Sequence, residues 1–351
     1  MEEAVRNALR NPDPVKATLY FAHLLEKLTA ENAGAFLKGI HENAKGAEEL
    51  RFISLLAHAW GALDGAGALA GLQSLKRRDL DGAVGTAMAA WASQDPEAAK
   101  RWLTQPEQKG IPGRELRREE ALATGLVSGL ARKDPGAALD YVMTFKKEEK
   151  RAELAHVLAE HVMREGVAKG ANWAMGLPEE GMRTNALETI GYQYIKEDLP
   201  AAIQWAGKIA DRPDAHEAVA DVANEYANVN GREAAAWAAA LPAGESRNHA
   251  LEDVYETWTR ADPLGASESL NGMEKGPGRD AAIEAFSRTL AKENPMDAVT
   301  WAGAISDSKE RIDVQVEIAR RWQASSPVEA MKWITSHFPE EAQMRAAAPR
   351  R

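Results

Sequence analysis

The chain has 351 residues, of which 45% are hydrophobic and 27% charged, with a formal net charge of -10. That balance belongs to a foldable globular chain and not to a disordered one, and its acidity argues against a general affinity for nucleic acid or anionic membrane. There is no Cys, which excludes disulfides, thiolate metal sites and Cys nucleophiles.

The opening stretch, MEEAVRNALRNPDP, has no apolar h-region. No apolar run approaches the roughly 18 residues of a membrane span. The expectation is no membrane and a cytoplasmic location by default, with export open if the N-terminus is trimmed. Residues 1–12 read as a lone N-terminal helix packing on the first full repeat.

From 13 to 343 the chain repeats. Anchors fall at Ala33, Gly65, Pro96, Pro135, Val167, Leu199, Gly231, Pro263, Pro295 and Pro327, and seven of the nine intervals are thirty-two residues long. Fixed spacing of this kind marks a repeat array. The residues just before the anchors are Asn32, Asp64, Asp95, Asp134, Gly166, Asp198, Asn230, Asp262, Asn294 and Ser326. Asp, Asn and Ser cap helix N-termini, at about 1 kcal/mol each, and Pro suits the first helical position. A helix therefore starts at each anchor. Upstream, apolar residues recur at minus twelve, minus nine and minus five, as in Leu187, Ile190 and Tyr194 or Leu251, Val254 and Trp258. This is one face of a preceding helix.

All ten Trp occupy two phases. Trp102, Trp173, Trp205, Trp237, Trp301 and Trp333 lie six residues after an anchor, and Trp60, Trp91, Trp258 and Trp322 lie five before one. A ligand-stacking Trp is needed once or twice, whereas a packing Trp is needed in every repeat. The fold expected is all-α: a right-handed α-solenoid of about ten antiparallel helix pairs, one domain over 1–351, with 344–351 a truncated or frayed tail.

These phases resemble the helical-repeat superfamily that includes tetratricopeptide and HEAT repeats, and most closely uncharacterised bacterial repeats of the form R…AL…W…DP.AA..W…LP. The tetratricopeptide signature itself is not met, since Trp258 is followed by TRADPLG. The resemblance implies a protein-binding scaffold, which is an analogy of architecture.

Several stretches invite a chemical reading. Gly65 to Gly71, GAGALAG, looks like a phosphate loop but lacks the flanking strand and the Lys-Ser/Thr, and its phase makes it a second helix. The His phases scatter. His216-Glu217 is followed by AVA, so the H-E-x-x-H zinc motif is absent. Arg151, Arg183, Arg247, Arg279 and Arg311 all lie sixteen residues before an anchor. They suggest either a basic ladder gripping an acidic ligand, or structural residues that bond carbonyls at the end of the preceding helix or an Asp in an adjacent repeat; repetition in register favours the structural role. No carboxylate pair stands apart from exposed helix faces.

The interval from Pro96 to Pro135 carries seven extra residues around TQPEQKGIPGREL, an exposed loop by its Pro and Gly. Residues 97–151 hold twelve Lys and Arg against nine Asp and Glu, with Lys109, Arg114, Arg117 and Arg118 clustered. The function expected is a non-enzymatic scaffold for a protein or peptide, without cofactor, catalytic residue or metal. Its groove positions would be Lys100, Asp140, Asn172, Gln204, Glu268, Thr300 and Lys332. The alternatives are an enzyme on an α/α superhelix or toroid (a lyase or glycan-active protein) and, against the overall charge, nucleic-acid binding through the 97–151 patch.

Overall fold

The computed structural model describes residues 1–75, 77–104 and 115–338. Among them every regular element is helical: twenty α-helices with short 3-10 turns, and no strand. No helix among the described residues is long and apolar enough to cross a membrane. Contacts divide the chain into two compact bodies, Met1–Gly170 and Ala171–Arg351.

The anchors divide the helices as expected. Helices begin at Ala33, Gly65, Pro96, Pro135, Val167, Leu199, Pro263, Pro295 and Pro327. The remaining anchor, Gly231, lies inside His216–Ala240, where Asn230 leaves the helical region (φ -154°, ψ 93°) and separates two helical stretches. Capping explains these starts. Asp64 accepts from the Gly67 N–H, Asp95 from Ala98, Asp134 from Gly136 and Ala137, Asp198 from Ala201, Asn230 from Glu233, Asp262 from Gly265 and Asn294 from Asp297. Two expected caps fail. The Asn32 side chain turns backward, accepting from the Thr29 N–H and donating to the Lys27 carbonyl, and Ser326 makes no side-chain cap. Gly166 sits at φ 115°, where a side chain would be strained.

In the first body, the helices Gly46–Leu63, Asp81–Gln94 and Glu115–Ala131 pack in succession. They meet almost backbone to backbone: a Cβ on Gly125 would lie 2.3 Å from the Gly85 carbonyl oxygen. The expected lone helix is Glu2–Leu9. In the second body, Glu180–Glu197 packs on His216–Ala240, that on Glu245–Ala261, and that on Pro277–Leu290. The minus-twelve and minus-nine phases form this core. Leu187, Ile190, Val219, Val222, Leu251, Val254, Ile283 and Phe286 are each at most 1% exposed.

The tryptophans pack within each body beside its core. Trp60, Trp102, Trp205, Trp258 and Trp322 are buried, and the other five are half-buried. Trp301 meets Phe286 edge-on at 5.1 Å between centroids, a packing contact. Glycines answer the rings. A Cβ on Gly231 would lie 2.3 Å from Cγ of Trp258, and one on Gly71 would lie 2.4 Å from Cη2 of Trp60. GAGALAG is thus the start of the Gly65–Ser74 helix, with Gly65 making room for Trp91 and Gly71 for Trp60.

Candidate functional site

Of the basic insertion, Lys109 and Arg114 lie outside the described residues. Arg117 is exposed, and Arg118 holds Nε 3.7 Å from Asp81. The groove positions Asp140, Asn172, Gln204, Glu268, Thr300 and Lys332 are all on second helices and, Asn172 and Gln204 included, open to solvent at least in part, whereas Lys100 is half-buried and donates to Glu97 at 3.1 Å. Lys100 and Asp140 belong to the first body and the rest to the second.

The arginine ladder is built into the repeats. Arg151 donates to the Phe145 carbonyl at 2.6 Å, Arg183 to Leu177 at 2.9 Å and Arg311 to Ile305 at 2.9 Å. In each case the acceptor stands six residues back, in the turn just past the preceding helix. Arg183 also donates from Nε to Asp214, a carboxylate of the next repeat. Arg279 reaches the carbonyls of Leu270 at 3.4 Å and Ala304 at 3.3 Å. Arg247 departs from this pattern. Its Nε is buried without a hydrogen-bond partner, beside a cavity of about 400 Å³ lined by Arg247, Lys275, Arg279, Glu274, Leu251 and Gly278.

Buried acids are present that no single stretch of sequence discloses. Glu49, 3% exposed, is bonded by His41 at 2.7 Å and Arg77 at 2.5 Å. Asp214, also 3% exposed, is held by Arg183 and Arg212. Asp280 accepts the Ser306 N–H at 3.0 Å. A carboxylate pair also exists: a hydrogen bond to Glu284, with burial and the charges of Glu284, Asp280 and Asp307 behind it, pushes Glu310 up to about 7. Its two members come from neighbouring repeats, which is why the sequence hides it.

His216 and His249 come from neighbouring repeats and meet edge to face at 5.2 Å between centroids. With Glu217 they place one donor atom each within 4.8 Å of one another. His216 Nδ1 is engaged by the Pro213 carbonyl at 2.8 Å, the outer contact a metal-ligating imidazole usually has, and Nε2 is the ring nitrogen left to serve as a ligand. Nε2 lies 3.5 Å from Glu217, close to the ~3.4 Å ligand edge of a tetrahedral zinc with bonds of about 2.1 Å. His249 supplies the third donor atom of the set. Carboxylates surround them. Burial, then Glu217 and Asp221, raise Glu188, although His216 opposes the rise. Burial, then Glu252, Glu256, Asp221 and Glu217, push Asp253 up to about 6.

His161 is the buried histidine, 7% exposed, with Nε2 2.7 Å from the Ser128 hydroxyl. Burial, aided by Arg164 and Arg132, lowers it to about 4. The unfolded chain therefore binds the proton more readily than the fold between about pH 6.5 and pH 4, and stability falls as pH drops through that window. Acid titration of melting should show this for the parent, with a loss on the order of 3 kcal/mol, and a shallower fall for His161→Gln. Identical slopes would remove His161 as the cause.

No family model matches the chain, and no curated protein matches it. Among solved structures, the crystal structure of Ton1535 from Thermococcus onnurineus NA1 aligns over 98% of this chain and 93% of that one, at 11% identity and a TM-score of 0.31.

Proposed function

We propose that this chain is a non-enzymatic helical-repeat scaffold that binds a protein or peptide, its helices arranged as about ten antiparallel pairs in a right-handed α-solenoid. The observation that supports this reading is the contrast between constant and varied positions. Core, cap and Trp phases recur through the array, whereas the outward second-helix positions of the second body change from Asn172 and Gln204 to Glu268, Thr300 and Lys332. A surface that varies over a constant frame suits recognition of an irregular ligand.

The test is a purified partner, first recovered by affinity capture, titrated against the parent and against a variant carrying Gln204→Lys, Glu268→Lys and Lys332→Glu. These side chains are exposed, so melting should stay within about 0.5 kcal/mol of the parent, while affinity falls roughly ten-fold or more. Unchanged affinity would take these positions out of the interface, and failure to recover any stoichiometric partner would count against the scaffold. The alternative, an enzyme on an α/α superhelix, draws on one observation: Glu310, raised toward neutrality against Glu284, has the poise of an acid–base group.

A further inference from the structure

The repeat register relates Arg247 to Arg183. They lie two periods apart, and each stands sixteen residues before its anchor. Asp214 comes one short of a full period after Arg183, and Gly278 stands at the same interval after Arg247. In the first pair, Nε of Arg183 donates to the Asp214 carboxylate of the next repeat. In the second pair, the residue that should supply the carboxylate has no side chain.

The geometry agrees with the register. A Cβ built on Gly278 would lie 3.5 Å from Nε of Arg247, with Leu251 Cδ1 at 2.9 Å and Asn248 Oδ1 at 3.6 Å; once the tip of Leu251 swings aside, a carboxylate on that carbon could reach the same nitrogen that Arg183 uses. Arg247 gains nothing in exchange: among the described residues it makes no hydrogen bond or ion pair, and Nε is buried. An arginine keeps its charge, and a buried donor without an acceptor carries a desolvation cost. Beside it lies the cavity of about 400 Å³, within the range of ligand pockets. Arg279 and Lys275 share the lining, and Glu274 is the one acid that opposes them.

We infer that the cavity beside Gly278 is a recognition pocket for a carboxylate, which the bound partner presents as an acidic side chain in the place Asp214 fills two periods earlier. The partner's side chain then completes the repeat interface from outside. This inference rests on the scaffold reading for the source of the carboxylate, and on the geometry alone for its chemistry. A guanidinium fork matches a carboxylate, and the cations of Arg279 and Lys275 add attraction for any anion.

Calorimetric titration tests it with three probes: glutarate, inorganic phosphate, and an end-blocked peptide of glycines around one glutamate, with its glutamine counterpart as control. The variants are Gly278→Asp, which installs the internal carboxylate, and Arg247→Gln. The expected result is one saturable site for glutarate and for the glutamate peptide, weakened at least ten-fold in the glutamine peptide and in both variants, with Gly278→Asp still unfolding in one cooperative transition close to that of the parent. Loss of binding in that variant is then occupancy of the pocket, not misfolding. Glutarate bound without the peptide would uphold the pocket's chemistry and overturn the peptide source, and with it the scaffold reading here. No binding of either carboxylate, tighter binding of phosphate than of glutarate, or undiminished binding to Gly278→Asp would overturn the proposal.

Discussion

Trp258→Ala should destabilise the second body by about 3–5 kcal/mol, the range for emptying an aromatic site in a core. Trp258 is 5% exposed and lies 5.8 Å from the Tyr255 ring. Its indole covers Gly231 and Gly265 so closely that added Cβ atoms would stand 2.3 and 3.3 Å from it. Neither glycine has a side chain that could move in to fill the hole. The converse change makes the same point: Gly231→Ala should cost roughly 1–3 kcal/mol by overpacking. Trp205→Ala should fall lower in the range than Trp258→Ala. Its Nε1 is buried without a partner, so truncation removes an unsatisfied donor along with its packing against Tyr194. Urea unfolding measures all three, and a Trp258→Ala value within about 0.5 kcal/mol of the parent, the range of a neutral surface change, would deny the ring its packing role.

Asp214→Asn is expected to cost on the order of 3 kcal/mol at pH 7, because it removes the charge that two guanidiniums share at a buried site. Arg212 donates to it at 2.9 and 3.0 Å, and Arg183 donates from Nε. Burial by itself would raise this carboxyl, but the hydrogen bonds from Arg212 and Arg183 and their charges lower it further than burial raises it. Its folded value is therefore depressed. The stability it contributes is present above the unfolded value of about 3.9 and is lost as pH falls through the folded one. The gap between parent and variant should thus be full at pH 6–7 and close below pH 4. A gap of constant size across that range would assign the loss to shape and not to charge.

Much of the fold is legible in the sequence because it is local and repeated. A cap needs an Asp or Asn and the next two or three N–H groups, so Asp134 and Asp198 could be read where they stand. The stripe at Leu251 and Val254 follows from helical periodicity alone. Asn32 misleads because a competing local bond to Thr29 captures its side chain, and composition cannot rank two local bonds. The sites are harder to read because they are joined across repeats. Arg183 and Asp214, and His216 and His249, lie about one repeat apart, and Glu284 and Glu310 sit on the first helices of successive repeats; whether such residues meet depends on side-chain direction at the junction of two helices. A signal was present for one of them: an acid stands just short of one period after Arg183, whereas a glycine holds that place after Arg247.

A double-mutant cycle between Gly278→Asp and Arg247→Gln tests most directly the claim that one register governs both the internal pairs and the ligand pocket. If Gly278 occupies the place of Asp214, the new aspartate and Arg247 should couple by about 1–3 kcal/mol at pH 7. The coupling should be much smaller when asparagine replaces glycine at 278 instead, and should fade as pH falls below 4. A coupling indistinguishable from zero at pH 7 would contradict the register and leave Arg247 without its assigned role.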